Sequence, residues 1–116
     1  MKYMMIHFLP ETLMWDERGN VLEDPEEDVA LEAWDKEMVA RGILVGGGVL
    51  RSAREAKRVQ VRGGELLITD GPYAETKEQM AGYAILECAS MDEAIEVSST
   101  HPTARVGGFE LRPYAW

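Results

Sequence analysis

Cysteine is nearly absent from this chain. One thiol, Cys88, stands among 116 residues, so no internal disulfide can form and a reducing cytoplasm is the expected setting. Long apolar runs are also missing. No stretch approaches the ~18–20 residues of a membrane span. The opening segment, Met1 to Leu9, holds about seven apolar residues before Pro10, too short and too alternating for a signal peptide. Histidine is scarce: His7 and His101 are the only two. With one cysteine they show no ligand spacing, so neither a metal nor a cofactor is expected. Glycine-rich phosphate loops are lacking too. Gly46-Gly47-Gly48 precedes no helix pattern, and there is no nucleophile elbow or phosphate-binding lysine motif.

Positive charge is in deficit, with 12 Lys and Arg against 21 Asp and Glu, a net charge of −9. That balance excludes general attraction to nucleic acid or anionic membranes. The segment 41–62 reverses it, with six basic residues and one acidic. No aromatic interleaves there to stack on bases, so it reads as a solvated hairpin.

What remains is a globular composition, 46% hydrophobic and 28% charged, in one domain over residues 1–116. Lys2 to Leu9 alternates as a strand, with Tyr3, Met5, His7 and Leu9 on one face and Met4, Ile6 and Phe8 on the other. Asp24-Pro25-Glu26-Glu27 opens a helix running to about Arg41, with Leu31, Trp34 and Met38, and Ala30 and Ala33 beside them, as its apolar stripe. Gly42 ends it. Ile43-Leu44-Val45 is a second strand. Val59 and Val61, then Leu66 to Ile68, flank Arg62-Gly63-Gly64 as a hairpin. Gly82 to Cys88 is another strand, Ser90 to Glu93 a capping box opening a second helix, and Val106 to Leu111 the last strand.

The order β-α-β, hairpin, β-α-β predicts an α+β, ferredoxin-like antiparallel sheet with two helices on one face. Two helices cover one sheet face only. The opposite face of the first strand is also apolar, so a homodimer is expected, related by a two-fold axis. The C-terminal Tyr114-Ala115-Trp116 is expected to add to its interface.

The stretch from Thr69 through Asp70-Gly71-Pro72-Tyr73-Ala74-Glu75-Thr76-Lys77-Glu78 to Gln79 resembles the signature of the DGPF-domain proteins of the YCII-related family. Tyr73 stands for the usual phenylalanine. Met1 to Met4, Gly42 to Gly47, Met80-Ala81-Gly82-Tyr83, Asp92-Glu93-Ala94 and Glu110-Leu111-Arg112-Pro113 resemble its flanking segments in order. The resemblance implies a dimeric α/β barrel of largely unassigned function. It includes members that look enzymatic, such as a chlorohydroquinone dehydrochlorinase, and members encoded beside sigma factors. A histidine–aspartate pair is proposed for the enzymatic ones, with its histidine on the first helix. The first helix here has no histidine, so only Asp70 has a counterpart.

Two functions stand open. One is binding, and possible acid/base chemistry, on a small polar organic molecule. The other is a non-catalytic binding or regulatory role, with a sigma-factor link as one form. Asp70 is either a turn-forming aspartate or a general acid or base, and in both cases buried near a cavity. His7 is either a hydrogen-bonded core histidine or the general base. His101 suits the dipole at the end of the second helix. Tyr73, Glu75, Lys77 and Glu78 are expected to line the cavity from their loop, and Trp15 to anchor the Pro10–Asp24 loop, which either shields the cavity mouth or reaches the partner subunit.

Overall fold

A computed structural model describes residues 1–71 and 78–116. In chain order the elements are β1 (Lys2–Pro10), α1 (Glu11–Met14), α2 (Pro25–Ala40), β2 (Leu44–Val49), β3 (Lys57–Arg62), β4 (Glu65–Asp70), β5 (Glu78–Glu87), α3 (Met91–Ser99) and β6 (Gly108–Pro113). Short 3-10 turns cover Ala53–Glu55 and Pro102–Arg105. No helix among the described residues is long and apolar enough to cross a membrane.

Local chemistry explains the boundaries. Asp24 accepts the Glu27 N–H at 3.2 Å, Pro25 occupies the first turn, and three acids follow at the positive end of the α2 dipole. Gly42 takes φ +71° and stops the helix, as expected. Ser90 caps α3 by accepting the Glu93 N–H, and the Glu93 carboxylate returns to the N–H of Ala89, one residue before the cap. The Pro10–Asp24 segment is more ordered than a plain loop. It holds α1, then a turn in which the Asp16 carboxylate accepts the N–H groups of Arg18 and Asn20, closed by a bridge between Trp15 and Val21. The described residues therefore hold three α-helices where two were expected.

Four strands form one antiparallel sheet in the order β2-β5-β1-β6, and among the described residues β3 and β4 form a separate two-stranded sheet. The architecture is α+β, with the strand order of a ferredoxin-like sheet and a hairpin inserted between its second and third strands. Tyr3 and Met5 of β1, with Ala84 and Leu86 of β5, face Trp34 and Met38 of α2 and Ala94 and Val97 of α3 in one core. Both long helices thus lie on one sheet face. Ala30 and Ala33, expected in the α2 stripe, are exposed, because α2 meets the sheet along Trp34 and Met38. The opposite face presents Met4, Ile6 and Phe8 of β1 beside Tyr83 and Ile85 of β5. All five are half-buried, and neither long helix covers them.

Candidate functional site

A cavity of about 570 Å³ lies between α2 and the sheet. That volume falls within the range of small-molecule sites. Leu31, Trp34, Asp35 and Val39 of α2 form one wall and the glycine-rich strand β2 the other, with His7, Ala81, Tyr83 and His101 among the remaining lining residues.

The backbone makes this space. Across β1 and β5, His7 pairs with Gly82 but Phe8 pairs with Met80, so Ala81 is an extra residue that kinks β5. A Cβ on Gly82 would sit 2.6 Å from the Gly48 carbonyl oxygen, so only glycine lets β2 and β5 approach here. Gly46, Gly47 and Gly48 of β2 all line the cavity, and a Cβ on Gly47, at φ +146°, would sit 2.5 Å from the Tyr83 carbonyl oxygen.

Three of the lining residues, His7, Trp34 and His101, belong to a four-ring cluster completed by Phe109, which is not in the lining. His7 and His101 meet edge to face with centroids 5.0 Å apart, and Phe109 packs on both, at 4.8 and 5.1 Å. Trp34 contacts His101 at 4.7 Å and donates its indole N–H to Thr100 Oγ1 at 3.0 Å, tying α2 to the end of α3. His101 precedes a 3-10 turn, and its Nδ1 accepts the Thr103 N–H at 3.1 Å. The proton of the neutral ring is therefore on Nε2. Nε2 of His7 is closed from solvent and has no hydrogen-bond partner.

Burial pushes both imidazoles down from 6.5 to about 4, and for His101 the neighbouring His7 adds to the depression. Both are uncharged at neutral pH. The expectation that an imidazolium at His101 complements the α3 dipole is therefore corrected: desolvation outweighs a dipole that favours the charged form by ~0.3–1 kcal/mol. Asp35, at the rim, has its carboxyl raised by burial. No lysine or arginine is among the described lining residues. No group of three or more His, Cys, Asp or Glu among the described residues is placed to hold a metal ion.

The sequence-predicted residues do not converge. His7 lines the cavity, without the hydrogen bond expected of a core histidine. Asp70 does not line it. The side chain is 80% exposed at the end of β4, ion-paired with Lys57, its cross-strand partner. The expected burial is overturned: the hairpin ladder places Asp70 opposite a lysine in solvent, and the tight approach beside it belongs to Gly71, whose N–H donates to the Ala56 carbonyl. Trp15 is buried but lies outside the cavity, packed with Leu9 and Ala81 and donating to the Leu50 carbonyl at 2.9 Å. Met14, one residue earlier, reaches the lining. Glu78 is exposed at the start of β5. Tyr73, Glu75 and Lys77 lie outside the described residues.

Sequence reasoning missed Asp35, and gave His101 and Trp34 other roles. The available signal was His7 itself, a polar residue in phase with Tyr3 and Met5 on the helix-covered face.

A family model, the YCII-related domain, matches residues 1–115. An uncharacterized protein of Rhizobium meliloti (strain 1021) is 36% identical over 89 residues, covering 73% of this chain and 70% of that protein. With the strand order described above, these matches show that the chain belongs to the YCII-related family.

Proposed function

We propose that the cavity binds a small, uncharged, largely apolar molecule carrying a hydroxyl group, with hydroxylated aromatics as the leading class. The single observation carrying this is the buried, unpartnered Nε2 of His7 in a ring cluster of which three members line the cavity. His101, its Nδ1 engaged by the Thr103 N–H, offers an Nε2–H donor, Nε2 of His7 is a donor or an acceptor according to its tautomer, and a hydroxyl can match each of these. The apolar walls from Leu9, Leu31, Trp34 and Val39 suit a flat hydrocarbon body. An anionic ligand would meet the Asp35 carboxylate and no cation among the described lining residues.

His7 stands unprotonated at pH 7, so it can accept a proton but holds none to give. A base with a pKa about 4 is far from the optimum for proton transfer at neutrality, which favours binding over turnover. Two copies joined through the outer sheet face, as a dimeric α/β barrel, would cover Met4, Ile6, Phe8, Tyr83 and Ile85. A cytoplasmic setting fits the single thiol, which is buried.

Titration with phenol, catechol and hydroquinone, followed through the imidazole ¹⁵N resonances of His7 and His101, tests the ligand class. Neutral phenols should shift both resonances, and benzoate should not. Preference for benzoate, or no response from either histidine, would overturn the proposal.

A further inference from the structure

The β3–β4 hairpin has two unlike faces. Its register places Val59 opposite Ile68 and Val61 opposite Leu66 on one side, with Arg58, Gln60, Arg62, Glu65, Leu67 and Thr69 on the other. The four apolar side chains of the first side are 63, 58, 61 and 63% exposed in that order. Beyond pairing with each other, the two strands make no sustained contact with any other element among the described residues. A two-stranded hairpin alone is marginal in water. The molecule is extended to match, with a radius of gyration of 15.9 Å against about 13 Å for a compact chain of this length.

From this we infer that the hairpin is an intersubunit arm, whose apolar face seats on a second copy of this chain. The inference rests on the outer-face pairing proposed above, and two arguments select the second copy as occupant. The first is area. Four strands at ~4.8 Å spacing and about six residues of ~3.3 Å give an outer face of roughly 400 Å². Two such faces bury about 800 Å², below the ~1,200 Å² of a stable interface. Each arm is half as wide. Two arms, with the patches they cover, add about 750 Å² and bring the total to standard size.

The second argument is charge. The hairpin, residues 57–70, carries Lys57, Arg58 and Arg62 against Glu65 and Asp70, a net +1, and leaves −10 on the rest of the chain. Two acidic bodies repel each other. An arm without net negative charge, laid on the acidic body of the other copy, adds no repulsion there and favours a copy of this chain over a basic partner.

Sedimentation across a dilution series tests the pairing and the arm separately. Wild-type chain should sediment as a dimer of 13.0 kDa subunits. The Val61→Glu, Leu66→Glu variant should raise the dimer dissociation constant by at least about 30-fold, the scale of one interface hot spot. The milder Val61→Thr, Leu66→Thr variant, which leaves the hairpin better able to form, should raise it about 10-fold. Backbone amides of β3 and β4 should be protected from hydrogen exchange in the dimer and lose protection on dilution. A wild-type monomer at 50 μM would overturn both the pairing and the arm. A dimer with unchanged affinity in both variants, or with unprotected hairpin amides, would overturn the arm and leave the outer-face pairing standing.

Discussion

Replacing His7 by Phe should make the protein more stable and remove its ligand response. The imidazole packs edge to face on His101 and Phe109, contacts that a phenyl ring preserves, and the adjoining cavity accepts the extra volume. A buried polar atom without a partner costs about 1–3 kcal/mol, and Nε2 of His7 is such an atom. His7→Phe should therefore gain about 1 kcal/mol at pH 7.5. The gain should grow in acid. Protons bind the unfolded imidazole below pH 6.5 and the folded one only below about 4. Between those values the unfolded state holds more protons, so wild-type stability falls as pH falls, by up to ~1.4 kcal/mol per pH unit from this residue. By pH 4.5 the variant's advantage should widen by about 2.5 kcal/mol. Urea unfolding followed by tryptophan fluorescence, at half-unit steps from pH 7.5 to 4.5, reads both effects. A variant less stable than wild type at pH 7.5, or two pH profiles running parallel, would refute the reasoning.

Trp15→Phe should cost ~1–2 kcal/mol by removing the bond from the buried indole to the Leu50 carbonyl, and Trp15→Ala about 3–5 kcal/mol, both read by chemical denaturation. Gly82→Ala should cost roughly 1–3 kcal/mol, because the new methyl meets the backbone oxygen of Gly48 rather than a movable side chain; altered β2 amide shifts would confirm the place of the strain. Asp70→Asn should change stability by less than ~1 kcal/mol, since it breaks an exposed pair with Lys57, and a larger loss in urea unfolding would count against that placement. Cys88 should resist thiol reagents in the native protein at pH 8 and react fully in urea, because burial and the nearby Glu93 raise its pKa.

Most of the fold was legible because local rules and burial agreed. The caps at Asp24 and Ser90, the stop at Gly42 and the glycine turn of the hairpin each act over a few residues, and the structure keeps all of them. The two apolar faces of β1 also read correctly, since strand alternation is a geometric fact once the strand exists. The Pro10–Asp24 segment was harder. Its order comes from Trp15 reaching Leu50, 35 residues away, and no local pattern encodes that contact.

The site was less legible for a related reason. His7, Trp34, His101 and Phe109 come from four separate parts of the chain and share no spacing. Their chemistry is collective. His101 is neutral because other residues bury it, and His7 lacks a partner because its neighbours are rings. The Asp70 signature pulled the other way: Asp70 belongs to a strong local motif, and its own carboxylate stands in solvent. His7 carried a weaker mark, but the better one. A histidine in phase with Tyr3 and Met5 must enter the covered face, where an unpaired nitrogen is costly. Such a cost persists in a fold when something outside the chain relieves it, and the cavity beside His7 is where a ligand could do so.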